Sequence, residues 1–206
     1  MKHPLPNTAP RPRKTFLAVC YNWHGVEGLL YRSAQLYGRH AAKLLAHFQV
    51  RTVLNLRGEN ANSPWYQNER TACAQLGITH IDLPLSSRRL PQREALLALL
   101  NAFDRMEMPA VMKCSGGADR TGLSAFLYLL HTKGRGALPQ AKRQLKLFPY
   151  LHLPKKYQRW MRLFPTYLET TWAPDTTLHD WLAHTYSDDA FAAWLKQNNA
   201  GDYWKP

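Results

Sequence analysis

The sequence predicts an α/β fold: a central, mainly parallel sheet flanked by helices, with an additional helical segment at its C-terminal end. Two observations carry this. Short apolar runs such as RTVLNL (51–56) and PAVMK (109–113) alternate with longer segments whose apolar residues recur at helical spacing. Strands separated by helices pair in parallel, because each crossover carries the chain back to the same end of the sheet. From about residue 137 onward only helical patterns follow.

In chain order, LLYRSAQL (29–36) reads as a short strand and turn, and GRHAAKLLAHFQV (38–50) as a helix. RTVLNL is β-branched and apolar, closed by the polar RGENANSP, as expected of a buried strand ending in a loop. ERTACAQLG (69–77) is helical and stops at a glycine, while ITHIDLPL (78–85) alternates like a strand. PQREALLALLNAFDRME (91–107) is amphipathic with proline in its first turn, and PAVMK is the next strand. TGLSAFLYLLHTKG (121–134) is a largely apolar helix closed by Gly134. LPQAKRQLKLF, PKKYQRWMRLF and TTLHDWLAHTYSDDAFAAWLKQ read as further helices. The organisation expected is a flexible basic tail over 1–14, one domain over 15–173, and a helical extension over 174–206. The extension and its approach contain Trp172, Trp181 and Trp194, which are expected to pack on the body.

Length and charge narrow the class. A chain of 206 residues suits one well-buried domain. Its 27 Lys and Arg against 14 Asp and Glu leave a net charge of +13, which favours an anionic partner. Cys20, Cys73 and Cys114 are too few and too scattered for a disulfide framework or a paired-cysteine metal site, and fit a reducing, cytoplasmic setting. The nine histidines show no metal-ligand spacing. The N-terminal residues lack the apolar run of a secretory signal, and no stretch is long and apolar enough to span a bilayer.

The chemistry concentrates in VMKCSGGADRTGLSA (111–125), a strand running through a glycine-bearing turn into a helix. Such a turn aims backbone N–H groups at one spot that the helix dipole makes electropositive. Gly116 and Gly117 permit the tight turn and close approach to a ligand, and Arg120 offers two parallel donors to a phosphate. The same field favours the thiolate of Cys114, which makes it a nucleophile. An anion cradle holding a thiolate points to phosphoryl transfer onto sulfur.

CSGGADRT (114–121) resembles the C-x5-R-[ST] loop of the cysteine-dependent tyrosine and dual-specificity phosphatases, and DRTG resembles their bacterial members. LLYRSAQL and VLNLR are similar to flanking segments of such domains, so the resemblance runs from about residue 20 to 150. It implies a phosphatase-like sheet and a two-step mechanism without metal or cofactor. Cys114 would attack phosphorus, and the loop residues Ser115, Gly116, Gly117, Ala118, Asp119 and Arg120 would bind the phosphate. Thr121 would hydrogen-bond the sulfur, and water would hydrolyse the cysteinyl-phosphate. The resemblance also implies an aspartic acid for the leaving oxygen. Asp82 lies 32 residues before Cys114, similar to the spacing in small dual-specificity phosphatases, and Asp119 inside the loop is its rival. Asp82 is the first choice, its alternative being to end the strand or cap a turn, and Asp119 reads first as an intraloop salt bridge or as orienting Arg120.

Where such phosphatases carry histidine before the cysteine, this chain has Lys113, whose side chain on a strand can point away from Cys114. Arg57 could reach the phosphate or brace its loop through Glu59. Arg32 reads as structural, Gln140 and Gln144 as solvated, and Cys73 as a buried small residue. KKYQRWMR (155–162) is either a solvated face or a collector of an anionic surface such as a membrane, with no signature for specific nucleic-acid binding. The partner expected is a phosphorylated substrate, a phosphoprotein ahead of a phospholipid or sugar phosphate, and the protein is expected to be a monomer. The other readings of the same loop are a phosphate-binding pseudophosphatase and a sulfur-transfer or arsenate-reducing enzyme.

Overall fold

The computed structural model describes residues 15–205; the expected tail over 1–14 lies outside them. Five strands, β1 (His24–Glu27), β2 (Leu30–Ser33), β3 (Thr52–Asn55), β4 (Thr79–Asp82) and β5 (Ala110–Lys113), form one sheet in the order β1-β2-β5-β3-β4. β2, β5, β3 and β4 run parallel, and β1 adds an antiparallel edge through a hairpin. That edge strand, HGVE, was not legible: four residues with one strong apolar member carry little period-two signal.

The helices are α1 (Phe16–Cys20), α2 (Arg39–His47), α3 (Pro64–Gln75), α4 (Arg93–Arg105), α5 (Asp119–Lys133), α6 (Leu138–Lys142), α7 (Trp160–Thr171), α8 (Leu178–His184) and α9 (Asp188–Gln197). α3 begins five residues before the ERTACAQLG pattern because Pro64, with its fixed φ, sits in the first turn. The long C-terminal pattern divides into α8 and α9, since the Ser187 hydroxyl accepts the Ala190 N–H and starts a new helix.

Alternation along the strands splits the interior in two. Leu30, Leu54, Ala110 and Met112 face a large apolar cluster with α4, α5 and α7–α9, while Tyr31, Val53 and Val111 face a smaller one with α1–α3. Trp181, Phe191 and Leu195 of α8 and α9 belong to the large cluster, where Phe164 meets Trp181, Tyr186 and Phe191 edge-on. Leu127 and Leu129 of α5 are fully buried in it, so the helix that follows the CSGGADRT loop is anchored along its length.

Candidate active site

Cys114 is the first residue after the central strand β5, 3% exposed, with its side chain on the α5 side of the sheet. Lys113, one residue earlier, points to the other side. Its ammonium lies 2.6 Å from Glu69 of α3 and donates to Gln35 Oε1 at 3.0 Å. Burial lowers the Lys113 pKa, against the opposing pull of Glu69. The lysine therefore does not stand over the thiol in place of a histidine.

The loop from Cys114 to Ala118 is tied down from behind, carbonyl by carbonyl. Gln35 N–H donates to Ser115 O at 3.1 Å, and Asn22 Nδ2 to Gly116 O at 3.1 Å. Arg32 Nη2 donates to Gly117 O at 2.9 Å and Ala118 O at 3.1 Å. In a trans peptide the C=O and the following N–H point opposite ways. Holding these four oxygens outward therefore turns the amides of Gly116, Gly117, Ala118 and Asp119 toward the cavity. No side chain caps α5 at Ala118, so the free donors of its first turn face the same place. Gly117 has a φ of +66°, and a Cβ there would lie 2.5 Å from Ala34 N, so the loop can lie against β2 only with glycine.

Arg32 is wholly buried. It also donates to Gln144 O and Oε1, both at 2.9 Å, and stacks on Tyr150 at 4.2 Å; burial lowers its pKa to about 10. Gln144, expected on a solvated face, is instead a buried acceptor for this arginine.

The mouth is a cavity of about 690 Å³ lined by Cys114, Ser115, Gly116, Ala118, Asp119 and Arg120, and opposite them by Pro84–Arg88 and Gln158. Arg120 Nη2 donates to Ser115 Oγ at 3.0 Å, which holds the guanidinium over the loop. One Asp119 oxygen accepts from Gln158 Nε2 at 3.1 Å, and the other lies 3.1 Å from His152 Nδ1. Gln158 Nε2 also reaches Ser87 Oγ at 3.1 Å. His152 and Gln158 carried no sequence signal, since nothing local marks residues that approach Asp119 from 33 and 39 positions away.

The remaining candidates stand elsewhere. Asp82 ends β4, and its carboxylate accepts from Tyr66 Oη at 2.6 Å and Asn55 Nδ2 at 2.7 Å, outside the cavity lining. Burial, then the bond to Asp82, pushes the Tyr66 pKa up to about 12. Arg57 stacks on Trp65 at 3.5 Å and donates to Gln35 at 3.0 Å, so it braces the loop after β3 without lining the cavity and without Glu59. Burial, and then Arg120, lowers its pKa. Thr121 is buried, and its hydroxyl has no hydrogen-bond partner among the described residues, the Cys114 sulfur included. Cys73 lies in the smaller cluster, across the sheet from Cys114, where burial raises its pKa to about 12. Among the described residues no group of three or more His, Cys, Asp or Glu could hold a metal ion.

A thiol at the C-terminal end of the central parallel strand, ringed by inward amides and faced by a guanidinium, is a cysteine–arginine anion loop. Residues 26–133, just over half the chain, match the model of the tyrosine phosphatase family, and the chain belongs to that family. The dual specificity protein phosphatase TpbA of Pseudomonas aeruginosa is 30% identical over 148 residues, 68% of this chain and 63% of the relative. The chain thus spans less than two thirds of that relative's length. Among solved structures, a putative phosphatase from Shewanella putrefaciens superposes with a TM-score of 0.54 at 18% identity, covering 71% of this chain and 92% of the other. A cysteine-to-serine variant of P. aeruginosa TpbA in complex with pTyr gives 0.50 at 24% identity, covering 62% and 74%.

Proposed function

We propose that the protein hydrolyses phosphate monoesters, with phosphoproteins as the substrate class, through a cysteinyl-phosphate on Cys114. The observation that carries this reading is the set of four loop carbonyls bound from behind, which leaves a preorganised amide ring in front of the sulfur. The thiolate forms the S–P bond as the P–O bond to the alcohol breaks, and Arg120 and the amides of Gly116 to Asp119 hold the equatorial oxygens. Ser115 serves by fixing Arg120. In the second step water attacks phosphorus, the S–P bond breaks, and the thiolate returns. Thr121 is taken to hydrogen-bond the returning sulfur, its buried hydroxyl having no other partner among the described residues.

Asp119 is the proton donor in this proposal. It lines the cavity beside Cys114 and Arg120, and Gln158 orients its carboxyl group. It gives its proton to the leaving oxygen and recovers one from the attacking water. Asp82 instead fastens β4 to β3 and α3 through Asn55 and Tyr66, and Arg57 is a brace. The relative's complex with pTyr supports a phosphotyrosine substrate. All three cysteines are free thiols, which supports a cytoplasmic setting, and α8 and α9 are taken as part of the catalytic unit because they share its core.

Turnover of two substrates by four proteins tests this. p-Nitrophenyl phosphate has a leaving group that needs little protonation, whereas phosphotyrosine peptide has one that does. Cys114→Ser is expected to be inactive on both. Asp119→Asn is expected to lose roughly 100-fold on the peptide and far less on p-nitrophenyl phosphate, and Asp82→Asn to stay within a few-fold of wild type on both. Phosphate binding without turnover would reduce the protein to a phosphate receptor, and loss in Asp82→Asn alone would return the acid to β4.

A further inference from the structure

Between Asp119 and Glu169 the chain has no acidic residue and ten Lys or Arg. This stretch contains a compact loop closed at its base by Leu151 N–H to Leu147 O at 2.6 Å and His152 N–H to Lys146 O at 3.4 Å. Its inner side is fastened to the active site. Tyr150 stacks on Arg32, Tyr150 O accepts from Asn22 Nδ2 at 3.1 Å, and His152 reaches Asp119. Its outer side is apolar: Phe148 is 76% exposed, Leu151 57% and Leu153 65%. Exposed Lys146 and Lys155 flank it, with exposed Lys156 beside them, 3.3 Å from Asp202.

From this we infer that the outer face of residues 146–157 docks the protein on an anionic phospholipid bilayer, with the cavity mouth beside the contact. The surface is a different one from the basic run KKYQRWMR as a whole, because Trp160 and Met161 are fully buried in the core. Large apolar side chains grouped at a loop tip are unfavourable in water, and a rim of lysines matches them to the boundary between anionic headgroups and acyl chains. Charge decides between occupants. A second copy would bring another +13, and residues 1–14 carry four Lys or Arg and no acid, so both would oppose the lysine rim. A partner with dense negative charge over an apolar interior is what both halves of the face fit. The surface stands independently of whether the pocket turns over phosphate.

Sedimentation of the full chain with vesicles tests it, using phosphatidylcholine alone and phosphatidylcholine mixed with phosphatidylglycerol, at ~0.1 M and at high salt. The wild type is expected to bind the mixed vesicles and not the neutral ones. Phe148→Ser combined with Leu153→Ser should weaken binding at least about tenfold. The triple change Lys146→Gln, Lys155→Gln, Lys156→Gln should weaken it about a hundredfold, roughly fivefold per cation. Thermal melts check that both variants are folded, since every altered side chain is exposed. The inference is overturned if the wild type ignores mixed vesicles, or if the serine variant binds like wild type, which is what adsorption by net charge alone would give. It is equally overturned if light scattering finds a wild-type dimer that the serine variant abolishes, which would make the face a contact between copies.

Discussion

Lys113 and Cys114 are neighbours on the chain and inhabit opposite kinds of site. Lys113 enters a closed polar cluster in which Glu69 binds Lys113, Gln35 Nε2 at 2.7 Å and His80 at 2.9 Å, with Asp82 and Tyr66 beyond His80. Cys114 enters an open bowl whose amides are turned inward and over which Arg120 is held by Ser115. Both sides concentrate charge at the ends of parallel strands, but the first pairs its charges with one another while the second presents its donors to a cavity. Chemistry is expected where the donors are unspent, and stability where they are paired.

The largest expected contrast lies between these two residues. Cys114→Ser should cost turnover roughly 10⁴-fold or more while the melting temperature stays within a few degrees. Lys113→Met should do the reverse, destabilising by about 3–5 kcal/mol because Glu69 is left as an uncompensated buried charge. Urea denaturation alongside turnover per folded molecule separates the two effects. If Lys113→Met instead abolishes turnover in a fully stable protein, the division between the sides is wrong.

Arg32→Lys comes next. It keeps the positive charge but cannot span Gln144 and two loop carbonyls at once, so the amides of Ala118 and Asp119 lose their backing. The expected result is a KM raised by roughly ten- to a hundredfold together with a loss of stability. An unchanged KM would mean that the loop holds its shape alone.

The paired side should also show in the alkaline limb of stability. Tyr66 has a folded pKa of about 12 against an ordinary 10.0, so the folded state keeps a proton that the unfolded chain releases. Its stabilisation is whole below pH 10 and is lost as pH rises toward 12. Cys73, raised from 9.0 to about 12, acts in the same direction from a lower starting point. Lys113 has the opposite sign: its pKa is depressed, so its unfavourable contribution is relieved as pH climbs toward 10.5. Tyr66→Phe should therefore flatten the decline above pH 10, measured by denaturation at fixed pH values, and an unaltered decline would deny the Tyr66–Asp82 pairing. The smallest effect expected is one of selectivity among thiols. Iodoacetamide at pH 8 should modify exposed Cys20 and cavity-facing Cys114, with phosphate protecting only the latter, and should spare Cys73 in native protein by peptide mass mapping.

The loop was legible because its chemistry is local: thiol, glycines and arginine lie within eight residues, and a strand running directly into a helix fixes their geometry. Arg32 could be read as structural, but not that it binds Gly117 and Ala118, since that contact spans 85 residues. Asp82 illustrates the limit of spacing. Its distance from Cys114 fits an acid, while its bonds to Tyr66 and Asn55 depend on the three-dimensional path of α3, which no local pattern carries. His152 and Gln158 come to Asp119 through a loop and a 3-10 turn with no periodic pattern. The helical layers followed from apolar spacing. The four-residue edge strand β1 and the break at Ser187 depended on hairpin pairing and on one hydroxyl.

Acid quenching during turnover of p-nitrophenyl phosphate, followed by peptide mass spectrometry, tests the central claim most directly. A phosphoryl group on the peptide containing Cys114, absent in Cys114→Ser and increased when Asp119→Asn slows the water step, is the predicted result. Phosphorylation elsewhere, or turnover with Cys114 never modified, would contradict it.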